Sequence, residues 1–138
     1  MAIIGMVLSD SQKYNTEKIL KMILIHDLAE SITGDFTPEQ KSKEEKTILE
    51  NNAIEKILTL LPENLQKQYS HLWNEYLKND SEEANFVHQI DKFEMALQAK
   101  IYSKQNNSLS DYLPFFDSAR KEIKDQNLLN LFKQLSDK

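Results

Sequence analysis

Residues 23–35 read Ile-Leu-Ile-His-Asp-Leu-Ala-Glu-Ser-Ile-Thr-Gly-Asp. This stretch sets a His-Asp pair, His26 and Asp27, into a strongly apolar run. It adds a carboxylate at Glu30 and closes on a Gly34-Asp35 turn. Charged groups cost free energy in an apolar helix unless something pairs with them. Neutral imidazole and ionised carboxylate are both good ligands for divalent ions, so an adjacent His and Asp can hold a metal. The alternative is a buried, mutually satisfied polar pair. On helix geometry His26 and Glu30 project the same way, whereas Asp27 points about 100° round from His26. Two adjacent ligands do not complete a shell, since hard divalent ions take about six ligands and transition ions about four to six. Any further ligand has to come from elsewhere in the chain.

The surrounding sequence predicts a helical housing. Few breakers (two Gly and three Pro) and many Leu, Ile, Lys, Glu and Gln favour an all-α fold. The 138 residues suit one domain, 1–138, large enough to bury a core. Hydrophobic residues at 40% and charged residues at 28% are ordinary for a globular protein. The absence of cysteine excludes disulfides and thiolate zinc sites. A net charge of −5 argues against generic nucleic-acid or membrane binding. No apolar run reaches the length of a membrane span, about eighteen residues, and the apolar start lacks the flanks of a signal peptide. A cytoplasmic protein is the expectation.

Along the chain, Met1 to Leu8 is an apolar run with no cap before it. It reads either as the later part of a longer helix or as a short helix docked in the core. Asn15 or Thr16 can cap a helix from about Thr16 to Ile32 that is apolar nearly all round, and such a helix is a central one. His26 and Asp27 would then lie inside the protein or on the wall of a cleft. Thr37-Pro38-Glu39-Gln40 has the pattern of a capping box. Helices are expected at about Ser42 to Leu61, ended by Pro62, and at about Glu63 to Leu77. The Lys-rich stretch around Lys41, Lys43 and Lys46 reads as a solvated face. Asp80 with Glu83 can form a further capping box before a helix from about Ser81 to Lys104. Two short helices follow, near Ser110 to Ile123 and Gln126 to Leu135.

The Ser81–Lys104 helix carries an apolar stripe of Phe86, Val87, Ile90, Leu97 and Ile101, and Asp91 and Glu94 fall within it. Two acids on a core-facing stripe need a metal, a buried base or an open cleft. Asp91 is the natural third ligand beside His26 and Asp27, while Glu30 and Asp35 could bind or activate water. Glu94 reads as a supporting or structural group, and His88 as a weaker candidate ligand on nearly the same face as Asp91. A bound ion lowers the pKa of its water and polarises a phosphoryl oxygen, which fits hydrolysis of a phosphate ester.

IHDLAESITGD, Glu44-Glu45-Lys46 before a long helix, Leu72-Trp73-Asn74-Glu75-Tyr76 and FVHQIDKFEMALQA from Phe86 to Ala99 occur in this order. Together they resemble the HD-domain phosphohydrolases of the 5′-deoxynucleotidase and HD-domain-containing protein 2 type, over nearly the whole chain. The resemblance implies an HD-domain helical bundle of about six to seven helices, usually a homodimer. It implies a divalent metal such as cobalt, manganese or zinc, held in the order His, His-Asp, Asp. His26, Asp27 and Asp91 would supply the later ligands. Glu30 would handle the nucleophilic water, and Asp35 would assist near the leaving oxygen. The implied reaction removes phosphate from 5′-deoxynucleoside monophosphates.

The family's first ligand histidine lies in an earlier helix, and Met1-Ala2-Ile3-Ile4 matches the residues just after it. The chain therefore resembles a family member without its N-terminal helix and that histidine. Two functions follow as expectations: a metal-dependent nucleotide phosphohydrolase, or a catalytically impaired scaffold acting as an interaction module. A third, hydrolysis of a signalling nucleotide, would need an extra basic cluster that the sequence lacks.

Overall fold

The protein is described by a computed structural model, covering residues 1–34, 40–106 and 110–136. The all-α expectation holds: the described residues contain eight α-helices and no strand. They are α1 (Ala2–Asp10), α2 (Thr16–Ile25), α3 (Glu30–Thr33), α4 (Lys43–Leu58), α5 (Glu63–Lys78), α6 (Glu82–Asn106), α7 (Leu113–Glu122) and α8 (Gln126–Ser136). A 3₁₀ turn at Ser110–Tyr112 leads into α7.

Local chemistry sets most of these boundaries. Asn15 Oδ1 accepts from Lys18 N–H at 3.0 Å and starts α2. Ser42 and Glu45 form a reciprocal capping box at the start of α4, a signal that the sequence reading passed over. The box expected at Thr37–Gln40 lies largely outside the described residues. Asp80 does not cap α6; Ser81 Oγ accepts from Ala84 N–H at 3.1 Å instead. Glu83 is drawn off to Asn15 N–H and the Lys18 ammonium, both at 3.3 Å. Asn79 closes α5 in the left-handed region, φ 56°, which Asn tolerates.

The 25-residue α6 is the axis of the bundle, packing against α1, α2, α5, α7 and α8. Its apolar stripe is fully buried at Phe86, Val87 and Ile90, continues through Phe93 and Ala96, and is exposed again by Ile101. α1 crosses α2 closely at Gly5, where a Cβ would collide with Ile23 Cδ1 and sit 3.3 Å from Ile19 Cγ2. Small size, rather than backbone freedom, is what that position requires. Buried Gln89 ties α6 to the far end of the bundle: its Oε1 accepts from Lys124 N–H at 2.6 Å and Asp125 N–H at 2.7 Å.

One expected helix is broken. The run predicted as Thr16–Ile32 ends at Ile25, and residues 26–29 form turns before the single-turn α3. The ring of His26 takes the Ile23 carbonyl, at 2.6 Å, that a continuing α-helix would give to the next turn. Backbone bonding then tightens to three-residue steps, Leu28 to Ile25, Glu30 to Asp27, Ser31 to Leu28 and Ile32 to Ala29. The central-helix expectation is corrected with it. Ile19, Met22 and Ile23 are buried, but Leu24, Leu28 and Ile32 are exposed.

Candidate metal and phosphoester site

The turn at residues 26–29 places His26 and Asp27 in different surroundings. The His26 side chain is 7% exposed and that of Asp27 is 67% exposed, so of the two only the histidine lies inside the protein. The Ile23 carbonyl can only accept, so His26 Nδ1 carries the hydrogen of that bond and Nε2 is left as the lone-pair nitrogen of the neutral ring. Nε2 lies 3.0 Å from Asp27 Oδ2. The contact is off the direction of a hydrogen bond, and this buried nitrogen has no hydrogen-bond partner. Two lone-pair atoms that close repel each other unless a proton or a cation joins them.

The electrostatics agree. Burial pushes the His26 imidazole down, but Asp27, the Ile23 carbonyl and the Asp91 charge together carry it above its ordinary value. Contact with His26 holds the Asp27 carboxyl below its ordinary value against partial burial, with Lys46 helping. Burial raises Asp91, and the Asp27 charge adds to that, while Lys92, His26 and His88 oppose it. Asp91 thus projects from α6 into the same neighbourhood as the pair. The three do not stand at ligating spacing: among the described residues no group of three or more His, Asp or Glu is arranged to hold a metal ion. In kind the donors suit one, since an orphaned imidazole nitrogen faces a carboxylate with a second, desolvated carboxylate nearby.

Glu30 opens α3 and its Oε1 lies 3.0 Å from Lys46 Nζ on α4. Lys46 also approaches Glu50 Oε1, at 3.6 Å. The solvated-face reading of Lys46 is therefore corrected: the side chain is half-buried between two acids. Gly34 follows with φ 74° and ψ 166°, a conformation open essentially to glycine alone. Asp35 itself lies outside the described residues.

Tyr76 is buried in the core. It also borders the site. Its hydroxyl is raised by burial and then by Asp91, Asp27, Glu50 and Glu30. The Tyr76 ring stacks on His88 at 4.2 Å and meets the His26 ring edge-on at 6.0 Å. His88 Nε2 pairs with the Tyr76 carbonyl at 2.9 Å, so this histidine is engaged in packing. Glu94 has a long contact to Gln98, at 3.4 Å, within α6. No helix of the described residues is long and apolar enough to cross a membrane.

Residues 1–131 match the HD domain family. The chain is 38% identical over 136 residues to 5′-deoxynucleotidase HDDC2 of Mus musculus, covering 98% of this chain and 68% of the relative. It is 44% identical over 131 residues to 5′-deoxynucleotidase HDDC2 of Dictyostelium discoideum, covering 87% and 69%. It is 42% identical over 120 residues to 5′-deoxynucleotidase hdd1 of Schizosaccharomyces pombe, covering 83% and 60%. The chain thus spans about two thirds of the length of the curated relatives it matches.

Proposed function

Because the chain belongs to the HD-domain family of phosphohydrolases, we propose that it removes phosphate from (deoxy)nucleoside 5′-monophosphates with the help of a divalent metal, cobalt, manganese or zinc. His26, Asp27 and Asp91 would hold the metal, and Glu30 and Asp35 would be the catalytic carboxylates. The observation that carries the reading is the buried His26 Nε2, which makes no hydrogen bond of good geometry and stands 3.0 Å from the Asp27 carboxylate. Such an ion, when bound, would supply charge to polarise a phosphoryl oxygen and to acidify water.

The chain's own groups account for the rest. The Ile23 carbonyl fixes the His26 tautomer, so that Nε2 is the donor nitrogen. Glu30, one turn beyond His26, would accept the proton of the attacking water. Asp35 would assist at the leaving oxygen. The reading takes the chain as one HD domain working in the cytoplasm as a homodimer, on a small-molecule nucleotide and without nucleic acid or membrane.

The test combines metal analysis with phosphate release. The chain is purified without chelator, its metal is measured by mass spectrometry, and deoxy- and ribonucleoside monophosphates are supplied with each metal. About one ion per chain, lost in Asp91→Ala, and metal-dependent phosphate release are expected. No ion and no release under any metal would overturn the proposal and leave a folded interaction module.

A further inference from the structure

Asp27, Glu30, Glu50 and Asp91 all act on the Tyr76 hydroxyl, and Glu50 also feels the charges of Glu30 and Asp27. Like charges at that density repel. Lys46 stands among them, 3.0 Å from Glu30 Oε1 and 3.6 Å from Glu50 Oε1, and its charge reaches Asp27. Its stem rises from α4, the helix on which α3 packs. Glu50 is one turn further along the same helix and its side chain is 14% exposed, so the Lys46–Glu50 pair is anchored in the protein. Glu30, by contrast, sits on a four-residue helix preceded by the turns at 26–29. So short a helix holds its own side chains weakly.

We infer that Lys46 is a positioning residue: held by Glu50, it clamps the Glu30 carboxylate between α3 and α4 in the orientation needed to take a proton from water. Both acids engage its ammonium, at 3.0 and 3.6 Å, and this holds it against Glu30. The inference rests on the hydrolase reading above, in which Glu30 receives that proton.

The test is a double-mutant cycle over Lys46 and Glu30 with Lys46→Met and Glu30→Gln, read by thermal unfolding and by turnover, with Lys46→Arg as the conservative variant. Unfolding is expected to show the pair coupled. In Lys46→Met, kcat should fall about tenfold with KM changed less than about twofold, the loss expected for a group acting only in the transition state. Lys46→Arg should recover most of the rate. The double variant should be no slower than Glu30→Gln. A rise in KM with kcat intact would overturn the inference in favour of substrate binding. Lowered stability with wild-type kcat, or rate losses that multiply, would overturn it in favour of a structural ion pair. A wild-type chain that is inactive with every metal would defeat the hydrolase reading itself and the positioning role with it. An active wild type with an unaffected Lys46→Met defeats the positioning role alone.

Discussion

At the scale of single residues, Gly34 and Trp73 are the sharpest cases. A Cβ at Gly34 would meet nothing within 4 Å, so the cost of Gly34→Ala lies in its backbone, held at φ 74° and ψ 166°. Holding a non-glycine residue there costs about 1–3 kcal/mol, and urea unfolding should find a loss of that size. Trp73 Nε1–H donates to Asn51 Oδ1 at 2.8 Å and joins α5 to α4. Trp73→Phe keeps most of the apolar area but leaves the amide oxygen without its donor. The expected loss is about 1–3 kcal/mol, and Asn51→Leu in the same background should recover part of it. The Asn51–Trp73 pair was not legible in the sequence, because it spans two helices whose facing is set by packing.

At the scale of elements, Gln89 ties the α7–α8 junction to α6. Gln89 Oε1 accepts from the backbone N–H groups of Lys124 and Asp125, and its Nε2 donates to Asn85 Oδ1 at 2.7 Å. Gln89→Leu strands two backbone donors, and each half-buried donor left unpaired costs about 1–3 kcal/mol. Amide hydrogen exchange should report this as faster exchange through α8, while α2 and α4 keep their protection. Helix starts were the most legible feature, because caps are local: Asn15 begins α2, and α5 follows Pro62, as expected. The break after Ile25 was not legible. Periodicity favours continuing the helix through Ile32, and the competing bond from the His26 ring to the Ile23 carbonyl leaves no mark on apolar spacing.

At the scale of the whole molecule, Lys18 joins three helices, pairing from α2 with Glu75 on α5 and Glu83 on α6. Burial pushes both carboxyls up, but the Lys18 contacts, together with Ser81 for Glu75 and the Asn15 N–H for Glu83, hold them below the ordinary glutamate value of 4.5. Acids depressed in the folded state contribute stability that is fully present above that value and is lost as pH falls through their lower folded values. Lys18 is the mirror case. Burial lowers it, the two acids raise it further, and the net is above the ordinary 10.5. Its contribution is complete below 10.5 and is lost as pH rises through the folded value. Thermal unfolding followed across pH should therefore decline on both limbs, and Lys18→Met should flatten both. Unchanged limbs in that variant would show that other groups carry the pH dependence.

The sequence by itself determined the all-helical class, most helix starts and the His26-Asp27 and Asp91 candidates. Its ordered motifs, over nearly the whole chain, were enough to place it in the HD-domain family. These follow from local rules, namely propensity, capping and spacing, or from a pattern distributed along the chain. Tertiary structure alone decided that His26 is buried while its neighbour Asp27 is exposed, that Lys46 leaves the solvated face to hold Glu30, and that the Tyr76 ring stacks on His88 and meets His26 edge-on. Each of these depends on which helix lies opposite. That is fixed by packing around α6, between residues far apart in sequence.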